Sequence, residues 1–365
     1  YDLVFFQFDV KLQASFEILP TFARQAFLKT LMTLVLQKKI NIVVQYLVAP
    51  VLFVWLCYSI YHQINAQEQL PSFIASLQQI PFVNAFSYLI VIIFLTACNW
   101  GLEAYKWKAL TYHLEPLSFK AAFAAILTGQ AVSFSSINRV GESIGKSMLL
   151  SDGNRLKGVV LSFVASASQL LITLLAGLIA FVCMYPTLYP QLQTQLHLSD
   201  TAFYVLGSAL LLIVVLLMII YFAIPFFANK LSKASFFSRY IFLLTSVQAI
   251  PKRLLVKLIL ISGARYLVFL LQYLLIFTLC SVDISALHIV SLTALLFLIL
   301  AIIPTLTLAE LGIRGKVSLF LFGIYSTNTI GILAAAGGIW LLNLIIPACL
   351  GGLILLRLQY FRKQV

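Results

Sequence analysis

Apolar positions along the chain gather into blocks about twenty residues long, the length that carries a helix across the hydrocarbon of a bilayer. The blocks run Ile42–Tyr61, Phe82–Tyr105, Gly158–Tyr185, Ala202–Ala228, Leu254–Cys280, Ala286–Ile303 and Ile330–Leu356, and each predicts a membrane-spanning helix. Two shorter apolar pieces, Phe119–Phe134 and Val317–Tyr325, each adjoin a polar motif. Pieces of that length predict re-entrant or broken helices, which are tolerated at membrane depth only where protein or water lines them. The expected fold class is all-α: a polytopic integral membrane helical bundle of about seven or eight transmembrane helices plus re-entrant or broken helices. Residues 1–40 stand apart as an N-terminal segment in which no signal peptide is legible. There Phe22, Ala26, Phe27, Thr30, Leu34 and Val35 recur at helical spacing among Arg24, Lys29, Lys38 and Lys39, predicting a basic interfacial helix. Residues 41–365 form the transmembrane domain.

Composition supports a lipid solvent. Hydrophobic residues make up 62% of the chain and charged residues 10%, with a mean hydropathy of +1.03, too little polar surface to wrap a water-soluble globule. The 24 Lys and Arg outnumber the 11 Asp and Glu, a balance that in a soluble protein would suggest nucleic acid. Here their placement matters more than their sum. The connections His62–Pro81, Pro186–Thr201, Ser281–Ile284 and Ser326–Asn328 contain no Lys or Arg, whereas Lys38, Lys39, Lys106, Lys108, Lys120, Arg155, Lys157, Lys230, Lys233, Arg239, Lys252, Arg253, Lys257, Arg357, Arg362 and Lys363 fall in the opposite set. Basic residues mark cytoplasmic loops, so a multi-pass protein with both termini in the cytoplasm is expected, and no nucleic-acid partner. The five cysteines and four histidines are scattered, which predicts no disulfide framework, no metal centre and no cofactor.

Charged side chains inside such blocks are where function is sought, since each costs roughly 2.5 to 3.5 kcal/mol at membrane depth on insertion scales. The first polar motif carries Arg139, Glu142 and Lys146, the fifth block carries Arg265, and the second motif carries Glu310, Arg314 and Lys316. Both motifs join acid, base and glycine, Gly141 and Gly145 in the first and Gly312 in the second, a likeness that makes an internal duplication plausible. Interrupted helices offer free backbone N–H groups and partial positive charge to an anion, and arginine adds a bidentate contact to phosphate. Arg139, Glu142, Lys146, Arg265, Glu310 and Arg314 are therefore the candidate lipid-headgroup-binding residues. Plainer readings stand beside this one: Arg139 with Glu142 and Arg314 with Glu310 could simply neutralise each other, Arg265 could snorkel to the surface, and Glu103 could pair with Lys106 or Lys108 at the interface. Gly158, Ser162 and Ser166 read as ordinary close packing. The run Gly141-Glu-Ser-Ile-Gly-Lys-Ser147 is one residue short of a phosphate-binding P-loop and lies between membrane segments, so nucleotide hydrolysis is rejected.

Asn99-Trp-Gly-Leu-Glu-Ala-Tyr-Lys-Trp107, Arg139-Val-Gly-Glu142 with Gly145-Lys146, and Pro304 followed by Glu310-Leu-Gly-Ile-Arg314 resemble, in order and separation, the signatures of the flippase-like transmembrane domain family named after lysylphosphatidylglycerol synthase. The resemblance covers roughly residues 42 to 358 and adds Asn99, Glu103, Gly141, Gly145, Pro304 and Gly312 as supporting residues. It implies the lipid-translocating half of such synthases without their cytoplasmic aminoacyl transferase. The expected function is a lipid flippase or scramblase of a bacterial inner membrane, moving a phospholipid or polyprenyl-linked lipid with an anionic headgroup, with no covalent chemistry required. Rivals are a membrane-embedded transferase acting on a lipid-linked substrate and a noncatalytic partner of a lipid-modifying enzyme. A homo-oligomer is left open.

Overall fold

The computed structural model describes residues 81–133, 136, 140–187, 199–233, 241–303 and 307–362, with isolated positions at 71, 75, 78, 190 and 193. The predicted span Ile42–Tyr61 and the basic interfacial helix of the N-terminal segment lie outside them. Among the described residues every regular element is helical and no strand occurs. The helices are α1 (Phe82–Thr111), α2 (Phe119–Ser133), α3 (Val140–Ser147), α4 (Arg155–Cys183), α5 (Asp200–Ser232), α6 (Ile241–Gln248), α7 (Lys252–Leu279), α8 (Ala286–Ile302), α9 (Thr307–Phe322), α10 (Thr329–Trp340) and α11 (Ile346–Arg362). Their starts follow local chemistry. Ser199 Oγ accepts from the Ala202 N–H at 3.2 Å to cap α5, Asn328 Oδ1 accepts from the Gly331 N–H at 2.8 Å to cap α10, and Pro81 and Pro251 stand immediately before α1 and α7.

Five helical stretches among the described residues are long and apolar enough to cross a membrane: Phe82–Thr111, Asp152–Cys183, Asp200–Ser232, Lys252–Leu279 and Thr329–Arg357. The chain is thus a multi-pass membrane protein in its helical make-up. The expected seven or eight crossings are not reached within the described residues, for a physical reason: α8 has 17 residues, α2 has 15, and α9 places Glu310, Arg314 and Lys316 within 16. The face of α5 that carries Leu211, Leu212, Ile213, Val215, Leu216 and Ile219 is exposed, a surface that suits acyl chains and would be costly in water.

The short helices pair into two hairpins. α2 and α3 form the first, closed at its base where Ser151 donates both its N–H (3.0 Å) and its hydroxyl (2.8 Å) to Glu115 Oε2. α8 and α9 form the second, and at its base Asn328 Nδ2 donates to the carbonyls of Cys280 and Ser281 while the rings of His288 and Tyr325 lie 4.3 Å apart. The first hairpin follows the basic end of α1 and leads into the basic start of α4. The second follows the end of α7 in the stretch without Lys or Arg, so the two enter the bundle from opposite ends.

Close approach builds the first hairpin. A Cβ on Gly145 would stand 2.8 Å from Gly129 Cα, and one on Gly351 would lie 1.9 Å from the Leu127 carbonyl oxygen, so α11 runs directly against the backbone of α2. Around these contacts Trp107, Ala122, Ala125 and Ile126 are fully buried. A larger core gathers Tyr273, Phe277, Leu292, Leu296 and Phe322 between α7, α8 and α9.

Two predictions follow from these contacts. Gly351→Leu should force α11 off α2 and lower the melting temperature of the purified protein, with a cost of about 1 to 3 kcal/mol, whereas Gly352→Leu, in open space, should change it little. The Ser151 N–H and hydroxyl also hold the Glu115 carboxyl below its usual pKa. That pinning is complete above the ordinary carboxylate pKa and is lost as the pH falls through the lowered one. The protection factor of the Ser151 amide, its exchange rate compared with the unstructured rate at the same pH, should therefore fall on acidification in the parent protein and be low at every pH in Glu115→Ala.

Candidate functional site

The tips of the two hairpins meet at a half-open cavity of about 580 Å³. Its charged lining comprises Glu103, Lys106, Glu142, Arg265, Glu310 and Arg314, and its polar lining includes Gln130, Ser143, Ser166, Gln169 and Asn343. Apolar walls come from Phe163, Phe269, Phe297 and the end of α8 from Leu300 to Ile303.

Glu103 is the centre of the larger charged cluster. On α1, Asn99, Glu103 and Lys106 recur four and three residues apart and so occupy one face of the helix, turned inward; all three are buried. Glu103 Oε2 accepts from Lys106 Nζ at 2.8 Å and from Arg265 Nη1 of α7, while its Oε1 lies 3.6 Å from Lys146 Nζ of α3. Lys146 also reaches Glu142 Oε1, one turn back on its own helix, at 3.3 Å, and sits 5.3 Å from the centre of the Trp107 ring. Lys106 Nζ donates further to Ser262 Oγ at 3.3 Å and to the Ala165 carbonyl at 3.4 Å. One carboxylate thus faces three cations drawn from three helices.

Arg265 is held on every side. Its Nε donates to Asn99 Oδ1 at 2.9 Å and its Nη1 to Gln169 Oε1 at 3.4 Å, with the Trp100 ring centre 5.8 Å away. The chain of amides continues: Asn99 Nδ2 donates to Asn343 Oδ1 (3.2 Å), Asn343 Nδ2 to Gln272 Oε1 (3.0 Å), and Gln272 Nε2 to Thr96 Oγ1 (2.8 Å). Asn343 lies in a π-helical turn, Leu341–Ile345, joining α10 to α11. Pro347 explains the loosened turn, since it has no N–H to give the carbonyl four residues earlier, that of Asn343.

The second cluster belongs to α9. Arg314 Nη2 donates to Glu310 Oε1 at 2.5 Å, one turn earlier, and Arg314 Nη1 to the Tyr273 hydroxyl of α7 at 2.8 Å. The Phe297 ring centre is 6.0 Å from the guanidinium.

The structure therefore brings Glu142, Arg265, Glu310 and Arg314 to one cavity, with Lys146 joined to it through Glu103 and Glu142, and Asn99 through Arg265. Arg265 is buried and paired, and Glu103 pairs with Lys106, as the plainer reading has it, within a buried cluster that also takes in Arg265 and Lys146. Arg139 and Pro304 lie outside the described residues. Gly141 and Gly145 sit within α3 and serve its contact with α2: Gly141 N–H donates to Ser136 Oγ at 2.9 Å, and a Cβ on Gly141 would meet the Val132 carbonyl oxygen at 2.5 Å. Gly312 is exposed, with open space around it, and contributes nothing to the cavity. Of the small-residue stripe, Gly158 and Ser162 are buried in packing while Ser166 lines the cavity.

Sequence reasoning missed Gln169, Gln272, Tyr273 and Asn343, and named Lys106 only as a partner of Glu103, not as a residue of the site. Lys106 was legible from its seven-residue spacing to Asn99, and Gln272 and Tyr273 from their seven- and eight-residue spacing to Arg265, which puts them on one face of α7. Gln169 and Asn343 carried only the signal of an amide isolated in an apolar run. Among the described residues no group of His, Cys, Asp and Glu is placed to hold a metal. No family model, curated protein or solved structure matched the chain.

Removing the shared carboxylate leaves three buried cations facing one another, so Glu103→Gln should destabilise the fold by about 3 to 5 kcal/mol. Deleting one cation with it, in Glu103→Gln/Lys106→Gln, should recover part of that loss. Thermal unfolding of the purified single and double variants checks both, and a double variant no more stable than the single one would refute the shared-charge reading.

Proposed function

We propose that the cavity receives the anionic headgroup of a membrane lipid and that the protein moves such lipids between leaflets, as a flippase- or scramblase-like translocator of a bacterial cytoplasmic membrane. The observation that carries this reading is the balance of charge at the cavity among the described residues: Lys106, Lys146, Arg265 and Arg314 make four cations, against the three carboxylates of Glu103, Glu142 and Glu310. One positive charge is in excess in a site of low dielectric, and a phosphate diester neutralises it.

Hydrogen-bonding capacity leans the same way. Trp100, Tyr266, Arg314 and Trp340 line the cavity, and each keeps one buried donor atom without a partner among the described residues. A phosphate group is rich in acceptors. The apolar walls from Phe163, Phe269 and Leu300–Ile303 suit the first methylenes of acyl chains while the headgroup sits among charges. The resemblance to the flippase-like family agrees with this assignment, and basic helix ends placed on one side support cytoplasmic termini. No bond need be made or broken in such a movement.

In proteoliposomes carrying fluorescent phosphatidylglycerol in both leaflets, the protein should make the inner-leaflet label accessible to an impermeant quencher. Each charge-assisted hydrogen bond lost is worth about 1.5 to 3 kcal/mol, so Arg314→Gln and Arg265→Gln should slow movement by about tenfold or more. Rates unchanged in both folded variants would reject the site. A chemically altered lipid recovered from the vesicles would favour the transferase instead.

A further inference from the structure

A second concavity, of about 420 Å³, lies at the basic end of the bundle where the last turns of α1 meet the first turns of α7. Its cationic lining is Lys108, Arg253 and Lys257, with His113 beside them, and no Asp or Glu contributes to it. None of these three cations forms an ion pair among the described residues. The acids nearest in the chain are otherwise engaged, Glu103 with Lys106, Lys146 and Arg265, and Glu115 with Ser151.

The rest of the wall is aromatic and amphipathic. Lys257 Nζ lies 4.7 Å from the Tyr105 ring centre, and Tyr112 packs edge-on against His113 at 5.7 Å. Both tyrosines are exposed at the level where α1 leaves its membrane-spanning length, the depth at which tyrosine favours lipid headgroups. α7 opens here after Pro251 with no side-chain cap, so the positive end of a 28-residue helix adds to the field of the three side chains. Topological bias alone asks only that basic residues lie in loops on one side. It does not ask that cations from two distant helix ends converge on one concave pocket walled by tyrosines.

We infer that this pocket is a separate binding site for the phosphate of an anionic phospholipid of the surrounding bilayer, independent of the central cavity. Lys108, Arg253 and Lys257 contact the phosphate oxygens, Tyr105 and Tyr112 flank the glycerol, and the acyl chains lie along the outer face of α1. Such a lipid would tie α1 to α7, the two helices that carry Glu103 and Arg265.

The test uses the full chain in lipid nanodiscs with a reporter at the pocket, Tyr112→Trp, its fluorescence read as the difference from the parent protein. Brominated phosphatidylglycerol should quench the reporter more strongly than brominated phosphatidylcholine. A cation close to an anionic membrane surface is worth about 1 kcal/mol, so each of Lys108→Gln, Arg253→Gln and Lys257→Gln should weaken the preference about fivefold, and the triple variant should abolish it. High salt should weaken it in parallel. The substituted side chains are not buried, so the variants should keep the parent's circular dichroism; should the triple variant lose it, the single variants decide. Equal quenching by the two lipids, or a preference that survives the substitutions, overturns the inference. Release of the lipid by inorganic phosphate at fixed ionic strength would reassign the pocket to a free anion. Because the reporter stands at the helix ends, lipid in the central cavity does not contribute, and failure here leaves the translocation reading untouched.

Discussion

Everything around the cavity depends on one buried carboxylate. Glu103 is removed from water, and an isolated ion in that position would be far too costly to keep. Its cost is offset because Lys106, Arg265 and Lys146 converge on it and because each of these is itself supplied with further acceptors: Ser262 and Ala165 for Lys106, Asn99 and Gln169 for Arg265, Glu142 for Lys146. The consequence is geometric as much as energetic. Lys146 stands on the short helix α3, which has only eight residues and could not hold a place in a membrane by its own burial. Its ion pair with Glu103 joins the first hairpin to α1, and the glycine contacts hold α3 against α2.

Irregular backbone at membrane depth needs the same kind of explanation. The π-helical turn at Leu341–Ile345 breaks the regular ladder of the last long helix, and the break is forced by Pro347. That turn is also where Asn343 enters the amide chain from Arg265 to Thr96, so the side chain satisfies neighbours on α1 and α7 in a region where the backbone is loosened. Gly351, a turn or so further on, then lets the resumed helix lie against the carbonyl of Leu127. Proline, amide and glycine thus act in sequence along one helix, each occupying the position where its own chemistry is needed.

How much of this could be read beforehand follows from what a periodicity can encode. Long apolar blocks were legible because hydrocarbon thickness imposes a length, and the described spans overlap those blocks closely. The short helix α2 was legible as an apolar run cut off by a polar motif, whereas α9 was not, because the motif from Glu310 to Lys316, read as a break before Val317–Tyr325, lies inside the helix Thr307–Phe322. That α8 pairs with α9 as a hairpin was not, because seventeen apolar residues read the same whether a helix crosses or turns back. The charged residues of the two motifs and Arg265 could be picked from cost alone. Their convergence could not, since Glu103 to Arg265 spans 162 residues and no local pattern carries that distance. Nor could the glycines be assigned: beside a basic residue they read as anion-binding turns, and only the proximity of α2 shows that they permit helix contact.

The two clusters differ in how they are tied down, and this separates their contributions to the cavity. The Glu103 cluster is cross-linked between α1, α3, α4 and α7, so displacing any one of those helices strips partners from a buried charge and costs several kcal/mol. Arg314 keeps its principal partner, Glu310, on its own helix, and reaches other elements through the Tyr273 hydroxyl of α7 and the Phe297 ring of α8. A shift of α9 carries the ion pair along and strips the hydrogen bond to the neutral Tyr273 hydroxyl, worth about 1.5 to 3 kcal/mol. The cavity therefore has one wall whose charges are locked to the bundle and one whose charges travel with a hairpin. Among the described residues the net positive charge belongs to the locked wall, where three cations meet two carboxylates, while the Glu310–Arg314 pair of α9 balances itself.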